Sequence, residues 1–284
     1  MKVGLVLEGG AMRGMYTAGV LDIFMDNDIK IDGILGVSAG ALFGVNYFSK
    51  QKGRALRYSK RFCKSRRYMS FLSYIFTGNI INKNFAFYKV SKELDVFDDE
   101  TYKKNNTSFY AVVTNVETGK AEYLEIDSCF DKMESLRATS AMPLVSRMVE
   151  INGNKYLDGG ISDSIPVDKC MKLGYDKIIV VLTRDIDYRK KELSNKVVKS
   201  LNKRFKKYAN LVETMINRPK EYNNTINKIL ELEKEGKIFV IRPSSPINIK
   251  ILERNPDNLQ KVYDLGVNDC NNNLSSLKNY LKNN

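Results

Sequence analysis

Three short glycine-containing stretches hold the residue types able to do chemistry. Gly36-Val37-Ser38-Ala39-Gly40 is a GxSxG pattern between an apolar run and a stretch of helical periodicity. A serine on a tight strand-to-helix turn has strained backbone angles, and flanking glycines relieve clashes with neighbouring elements. Such a turn projects the serine oxygen at the carboxyl edge of a sheet. It also sets the next N–H at a helix start, where it can stabilise an oxyanion. Glu8-Gly9-Gly10-Ala11-Met12-Arg13-Gly14 directly follows the first apolar run. Its small residues allow close approach to N–H groups at a helix start, an anion site for a phosphate or a transition-state oxyanion. A dinucleotide-binding reading would need glycine at position 11. The third stretch is Tyr156-Leu157-Asp158-Gly159-Gly160, after another apolar run. Each stretch has a plainer alternative, an ordinary glycine-rich turn.

The chain contains no histidine. A Ser-His-Asp triad, a Cys-His dyad and a histidine-ligated metal are therefore excluded. A serine nucleophile then needs another base: Asp, Glu, Lys or Tyr. Asp158 falls at a predicted strand end, where the sites of such sheets gather. Cys63, Cys129, Cys170 and Cys270 lie far apart with no CxxC pair, so neither zinc spacing nor a disulfide framework is present. No metal or cofactor is expected.

These stretches need a scaffold. Val3–Leu7 is a short apolar run closed by Glu8, suiting a strand buried on both faces. Residues 14–25 have helical spacing, 31–37 form a second apolar run and 39–48 a second helix. That order implies parallel strands joined by right-handed crossovers. Residues 109–113 with 121–126, and 148–151 with 155–157, read as antiparallel hairpins with glycine-containing turns. A short helix is expected over 166–172, core strands over 176–182 and 237–241, and a last helix after Pro256. The fold class is thus α/β, three-layer α/β/α around a mostly parallel sheet. Residues 1–284 are read as one domain, with a catalytic core over about 3–182. A basic helical segment follows over about 187–235, then the last strand and C-terminal helix over 237–284.

In this order the three stretches resemble the patatin-like phospholipases, the bacterial branch particularly, through the pattern EGG-x-x-RG-x-x-x-AGVLD. Ser140-Ala141-Met142-Pro143 resembles a further segment of that family. The resemblance covers roughly 3–182 and more weakly Ile241-Arg242-Pro243. It implies that Ser38 is the nucleophile, Asp158 its base and the Gly9–Gly14 loop (Gly9, Gly10, Ala11, Met12, Arg13, Gly14) the oxyanion hole, joined by the N–H of Ala39. Gly36, Gly40, Gly159 and Gly160 are motif positions. Ala11 replaces the family's third loop glycine; alanine keeps the N–H donor but resists positive φ. Asp158 is expected in a desolvated setting that raises its pKa. Arg13 is expected to support the loop, meet a lipid phosphate or form a surface ion pair.

The formal charge is +13. Arg54–Phe76 interleaves basic and aromatic residues, and Arg189–Lys207 sets Lys and Arg against Leu193, Val197, Val198, Leu201 and Phe205 at helical spacing. Both suit an anionic membrane surface or a solvated helix face. The aromatics of 71–76 are expected to line an acyl groove or the core. No nucleic-acid motif occurs, so no specific nucleic acid is expected. The absence of a signal-peptide pattern and of a long apolar span predicts a cytoplasmic protein, with peripheral contact at the inner membrane surface. The leading expectation is a serine lipid acyl hydrolase, of phospholipase A or lysophospholipase type, acting on phospholipid or other lipid esters. A soluble carboxylesterase or thioesterase on the same pair is one alternative. A non-catalytic basic module binding membrane or nucleic acid is the other.

Overall fold

A computed structural model describes residues 1–105 and 107–282; the last two residues of the expected C-terminal segment lie outside it. Its strands are β1 (Val3–Leu7), β2 (Gly33–Val37), β3 (Ser108–Asn115), β4 (Ala121–Glu125), β5 (Val149–Ile151), β6 (Asn154–Asp158), β7 (Lys177–Val181) and β8 (Phe239–Ile241). They form one sheet in the order β5-β6-β3-β2-β1-β7-β8, with β4 also paired to β3. The pairs β1–β2, β1–β7, β2–β3 and β7–β8 are parallel, while β4, β5 and β6 pair antiparallel. Both expected hairpins are present.

The helices are α1 (Met15–Asp26), α2 (Ala39–Phe48), α3 (Arg54–Phe62), α4 (Phe71–Thr77), α5 (Asp99–Lys103), α6 (Met133–Thr139), α7 (Val167–Lys172), α8 (Asn195–Arg204), α9 (Ala209–Lys234) and α10 (Pro256–Lys282). A π-helix runs over Asn84–Leu94. Every residue of β1 and β2 is buried, because helices cover both faces of the sheet. The period-2 geometry of the strands sorts their side chains. Leu5, Leu7, Ile34 and Val181 join residues of α1, α2 and α10 in one apolar cluster. Val6, Leu35 and Val180 join Tyr222, Ile226 and Ile229 of α9 in another.

Three expectations change. Strand β2 starts at Gly33 rather than Ile31, since the Asp32 carboxylate turns back to accept the Val3 N–H at 2.7 Å. The basic helix expected from Arg189 starts only at Asn195. Upstream, Asn223 of α9 bonds both backbone groups of Lys190, accepting its N–H at 2.8 Å and donating to its carbonyl at 3.0 Å, which holds that stretch out of a helix. Leu201 and Phe205 pack into a third cluster, against Val212 and Met215. Burial of such side chains is worth about 1.5–3 kcal/mol each, so this part of the apolar stripe is used by the core. Finally, Phe71 and Phe76 of α4 line neither groove nor core: they are 71% and 79% exposed, with Leu72 and Ile75 also exposed.

Candidate active site

The register of β3 decides which residues meet. Its positions 108–112 pair with β2 and 113–115 with β6, while β4 pairs with 110–114. With β4 on one edge, β2 and β6 must share the other and approach each other head to head. Val37 ends against Val112 and Asp158 against Val113. Ser38, the next residue after Val37, therefore abuts Asp158. The Ser38 hydroxyl donates to Asp158 Oδ2 at 2.7 Å. Both residues are buried.

Ser38 sits at φ 52°, ψ −120°, between the end of β2 and the start of α2. A non-glycine residue there stores about 1–3 kcal/mol of strain and persists only where its surroundings hold it. One holder is Thr139 at the end of α6. Its hydroxyl accepts the Ser38 N–H at 2.9 Å and donates to the Val112 carbonyl at 2.5 Å. Another is the absence of side chains: a Cβ on Gly40 would lie 2.6 Å from the Leu7 carbonyl oxygen. Asp158 is equally fixed. Its N–H donates to the Ala141 carbonyl at 2.9 Å, and its carbonyl accepts the Thr114 hydroxyl at 2.8 Å. Oδ1 accepts the Gly160 N–H at 2.7 Å. A Cβ on Gly159 would fall 2.2 Å from the Val112 carbonyl oxygen, so the DGG turn fits only without one. Burial raises the Asp158 pKa; the bonds from Ser38 and Gly160 and the charges of Arg218 and Lys190 pull it back.

The glycine-rich loop runs from β1 into a 3₁₀ turn over Ala11–Gly14. Ala11 takes the left-handed conformation at φ 48° despite its Cβ, at about 1–2 kcal/mol. Met12 N–H donates to the Ile251 carbonyl and Arg13 N–H to that of Gly10, so those two donors are already bonded within the protein. Among the described residues, the N–H groups of Gly10, Ala11 and Ala39 have no acceptor. Gly14 and Gly36 serve packing, each lying where a Cβ would meet an α2 residue within 2.8 Å. No helix among the described residues is long and apolar enough to cross a membrane.

A family model described as patatin-like phospholipase matches residues 5–171. The chain belongs to the patatin-like phospholipase family. A second family model, a domain of unknown function (DUF6363), matches residues 208–282, the region of α9, β8 and α10. Uncharacterized protein YjjU of Escherichia coli (strain K12) is 31% identical over 186 residues, 64% of this chain and 52% of that protein. Lysophospholipase nte1 of Aspergillus niger is 29% identical over 195 residues, 66% of this chain but 12% of its own. The chain thus spans about half of the first relative and a small part of the second. The crystal structure of VipD from Legionella pneumophila superposes with a TM-score of 0.48 at 12% identity, covering 97% of this chain and 67% of that one.

Within this patatin-like chain, several site residues carry no sequence signal. Glu8, which opens the glycine-rich stretch but carries no assigned role there, is buried. Its Oε2 accepts the N–H and hydroxyl of Thr183 at 2.6 and 3.1 Å, and its Oε1 accepts the Tyr222 hydroxyl at 2.8 Å. Thr183 and Tyr222 lie more than 20 residues beyond the last of the three glycine stretches, Thr139 falls just before the Ser140–Pro143 segment, and threonine and tyrosine are too common to stand out. Arg13 makes no ion pair within 4 Å among the described residues, unlike the surface pair the sequence allowed.

Proposed function

We propose that this protein is a serine lipid acyl hydrolase working through Ser38 and Asp158, and that residues 1–284 act as one unit. The observation that carries the reading is the 2.7 Å bond from the Ser38 hydroxyl to a buried carboxylate in a protein without histidine. Ser38 Oγ attacks the ester carbonyl carbon as its proton passes to Asp158 Oδ2. The carbonyl oxygen becomes an oxyanion beside the unbonded N–H groups of Gly10, Ala11 and Ala39. Each such donor is worth about 2.7–4 kcal/mol. Collapse of the intermediate breaks the ester C–O bond, and the alcohol leaves with the proton from Asp158. Water then attacks the acyl-enzyme, giving its proton to Asp158; as the bond from the acyl carbon to Ser38 Oγ breaks and the acid leaves, Asp158 returns the proton to Ser38.

An acyl chain has a place to go. An apolar pocket is lined by Leu42 and Val45 of α2, Phe87 and Val90 of the π-helix, and Met133 and Leu136 of α6, among others. Leu42 stands one helical turn beyond Ser38. A smaller recess shares Ile81 and Phe87 with that cavity and reaches Ser140 and Ala141, whose carbonyl holds the Asp158 N–H. Exposed Phe71, Leu72, Ile75 and Phe76 of α4, near exposed Arg66 and Arg67, support peripheral contact with an anionic membrane surface.

A fluorophosphonate probe labels the wild type and not Ser38→Ala; equal labelling, or none in either, overturns the reading. Micellar phospholipid against short soluble esters then separates a lipid hydrolase from a soluble esterase on the same pair. The base must be ionised to act, and burial raises its pKa above the ordinary 3.8. The kcat/KM profile therefore rises with pH on an acid limb above that value. A limb complete below pH 4 contradicts Asp158 as a desolvated base.

A further inference from the structure

Four cationic side chains from four parts of the chain converge beside Ser38 and Asp158. Arg13 comes from the glycine-rich loop, Arg184 from the segment after β7, Lys190 from the extended stretch beyond it and Arg218 from α9. A Cβ placed on Gly160 would be 3.1 Å from Asp158 Oδ1 and 3.4 Å from Arg218 Nη2, which puts that guanidinium against the carboxylate turn. Lys190 and Arg218 both bear electrostatically on Asp158. Lys190 in turn feels Arg218, Arg13 and Arg184 as like charges.

None of the four is in an ion pair among the described residues. The Nε atoms of Arg13, Arg184 and Arg218 are buried with no hydrogen-bond partner at all. Instead of carboxylates the cations face aromatic rings: the Arg184 guanidinium lies 4.0 Å over Tyr188, and the Lys190 ammonium 3.5 Å over Tyr222. Among the described residues, the Lys190 side chain hydrogen-bonds only to the Ser164 hydroxyl, at 3.4 Å. Burial and the neighbouring arginines push the Lys190 pKa down to about 6. Glu8 supplies one negative charge, with Thr183 and Tyr222 already bonded to it. The four residues are half-buried, and buried guanidinium nitrogens without partners are costly unless something compensates them. Here the shortfall is concentrated around Lys190, whose neighbour Arg218 lies against the Asp158 turn. An ester-bearing lipid whose phosphate sits close to the scissile bond would supply the missing oxygens, several acceptors converging on forked guanidinium donors.

We propose that Arg13, Arg184, Lys190 and Arg218 form a phosphate-binding site beside Ser38 and Asp158, which selects lipid esters with an anionic phosphate headgroup. The proposal rests on the hydrolase reading for its substrate and on the cation cluster alone for its anion. A zwitterionic headgroup brings a quaternary ammonium toward the three guanidiniums and is disfavoured. The recognised chemistry, a tetrahedral phosphate with free oxygens, is shared by a headgroup and by free phosphate.

The first measurement uses full-length Ser38→Ala, so that it does not depend on turnover. Inorganic phosphate raises its melting temperature saturably, beyond sodium chloride at equal ionic strength. Adding Arg184→Gln and Arg218→Gln abolishes that rise, while Lys172→Gln with Lys234→Gln, two exposed lysines far from the cluster in sequence, keeps it. The arginine variants discard buried, unpartnered Nε atoms and mutually repelling charge, so without phosphate they melt no lower than the parent. A phosphate response no larger than chloride's, or one unchanged by the arginine substitutions, overturns the site.

The second measurement compares kcat/KM for short-chain monomeric phosphatidylglycerol and phosphatidylcholine. Wild type favours the anionic lipid by at least tenfold, and the arginine pair collapses that ratio through KM. Phosphate binding without headgroup preference overturns the headgroup assignment and leaves a free-anion site. Equal loss of kcat on both lipids without phosphate binding makes the cluster an oxyanion support and overturns the proposal. Phosphate binding with no hydrolysis of any ester sinks the hydrolase reading alone.

Discussion

Asp158→Asn lowers turnover by roughly 10²–10⁴-fold and leaves the folded protein more stable near neutrality. The amide has the shape of the carboxylate and can still accept the Gly160 N–H through its oxygen, so the turn after β6 keeps its geometry. It cannot take a proton from Ser38, which loses its base. The stability gain follows from the same burial. Because burial raises the folded pKa of Asp158 above its unfolded value of 3.8, the protonated carboxyl contributes stability that is fully present below 3.8. That contribution disappears as pH rises through the folded pKa. Asparagine escapes the loss, so the difference in melting temperature between variant and wild type widens from pH 4 toward pH 7. Steady-state turnover and circular-dichroism melts at those two values check both halves. Turnover within tenfold of wild type, or a pH-independent melting difference, contradicts the assigned role.

Thr139→Val has the largest expected effect on stability. Valine nearly matches threonine in volume, so no cavity opens. It does remove the acceptor of the buried Ser38 N–H and the donor to the buried Val112 carbonyl. Leaving each backbone group unsatisfied costs about 1–3 kcal/mol, or about 2–6 kcal/mol for the two. At about 2–4 °C per kcal/mol for a large domain, the melting temperature falls by several degrees or more. The serine elbow at φ 52° loses one of the contacts that impose its strain, and misplacement on the order of 1 Å costs about 10²-fold in rate. Thr139→Ser keeps the hydroxyl and restores both. A serine variant as damaged as the valine one would show that the hydroxyl bridge alone does not hold the turn.

The half-buried basic cluster and the buried base are linked. Arg218 and Lys190 favour the ionised form of Asp158 while burial opposes it. A phosphate settled on the cluster would neutralise part of that help and raise the basicity of Asp158 as substrate binds. The apolar cavity lies beyond Leu42, on the α2 side of Ser38. Arg184, Lys190 and Arg218 come from the segment after β7 and from α9. On the proposed reading, tail and headgroup would be bound by separate elements.

Local pattern alone set much of this molecule. Val3–Leu7 is apolar at every position and becomes a strand buried on both faces. Ala39–Phe48 is a helix over its full expected span, and the two glycine-turn hairpins pair as their sequences imply. These choices depend on periodicity, turn chemistry and the steric needs of a few residues, all of which are local. The lack of histidine narrowed the chemistry before any fold was known. Other features needed the assembled sheet. Only the register of β3 brings β2 and β6 end to end, and so sets a serine against an aspartate from a strand formed much later in the chain. Only packing recruits Thr139, Glu8, Thr183 and Tyr222, whose partners are up to 214 residues away. Only the placement of α9 turns Lys190 and Arg218, ordinary members of a basic stretch, into unpaired charges at one site. The same packing draws Leu201 and Phe205 into the core and leaves the aromatics of α4 outside it. A sequence pattern records which face of an element is apolar, but what comes to lie against that face depends on how distant elements are arranged in three dimensions.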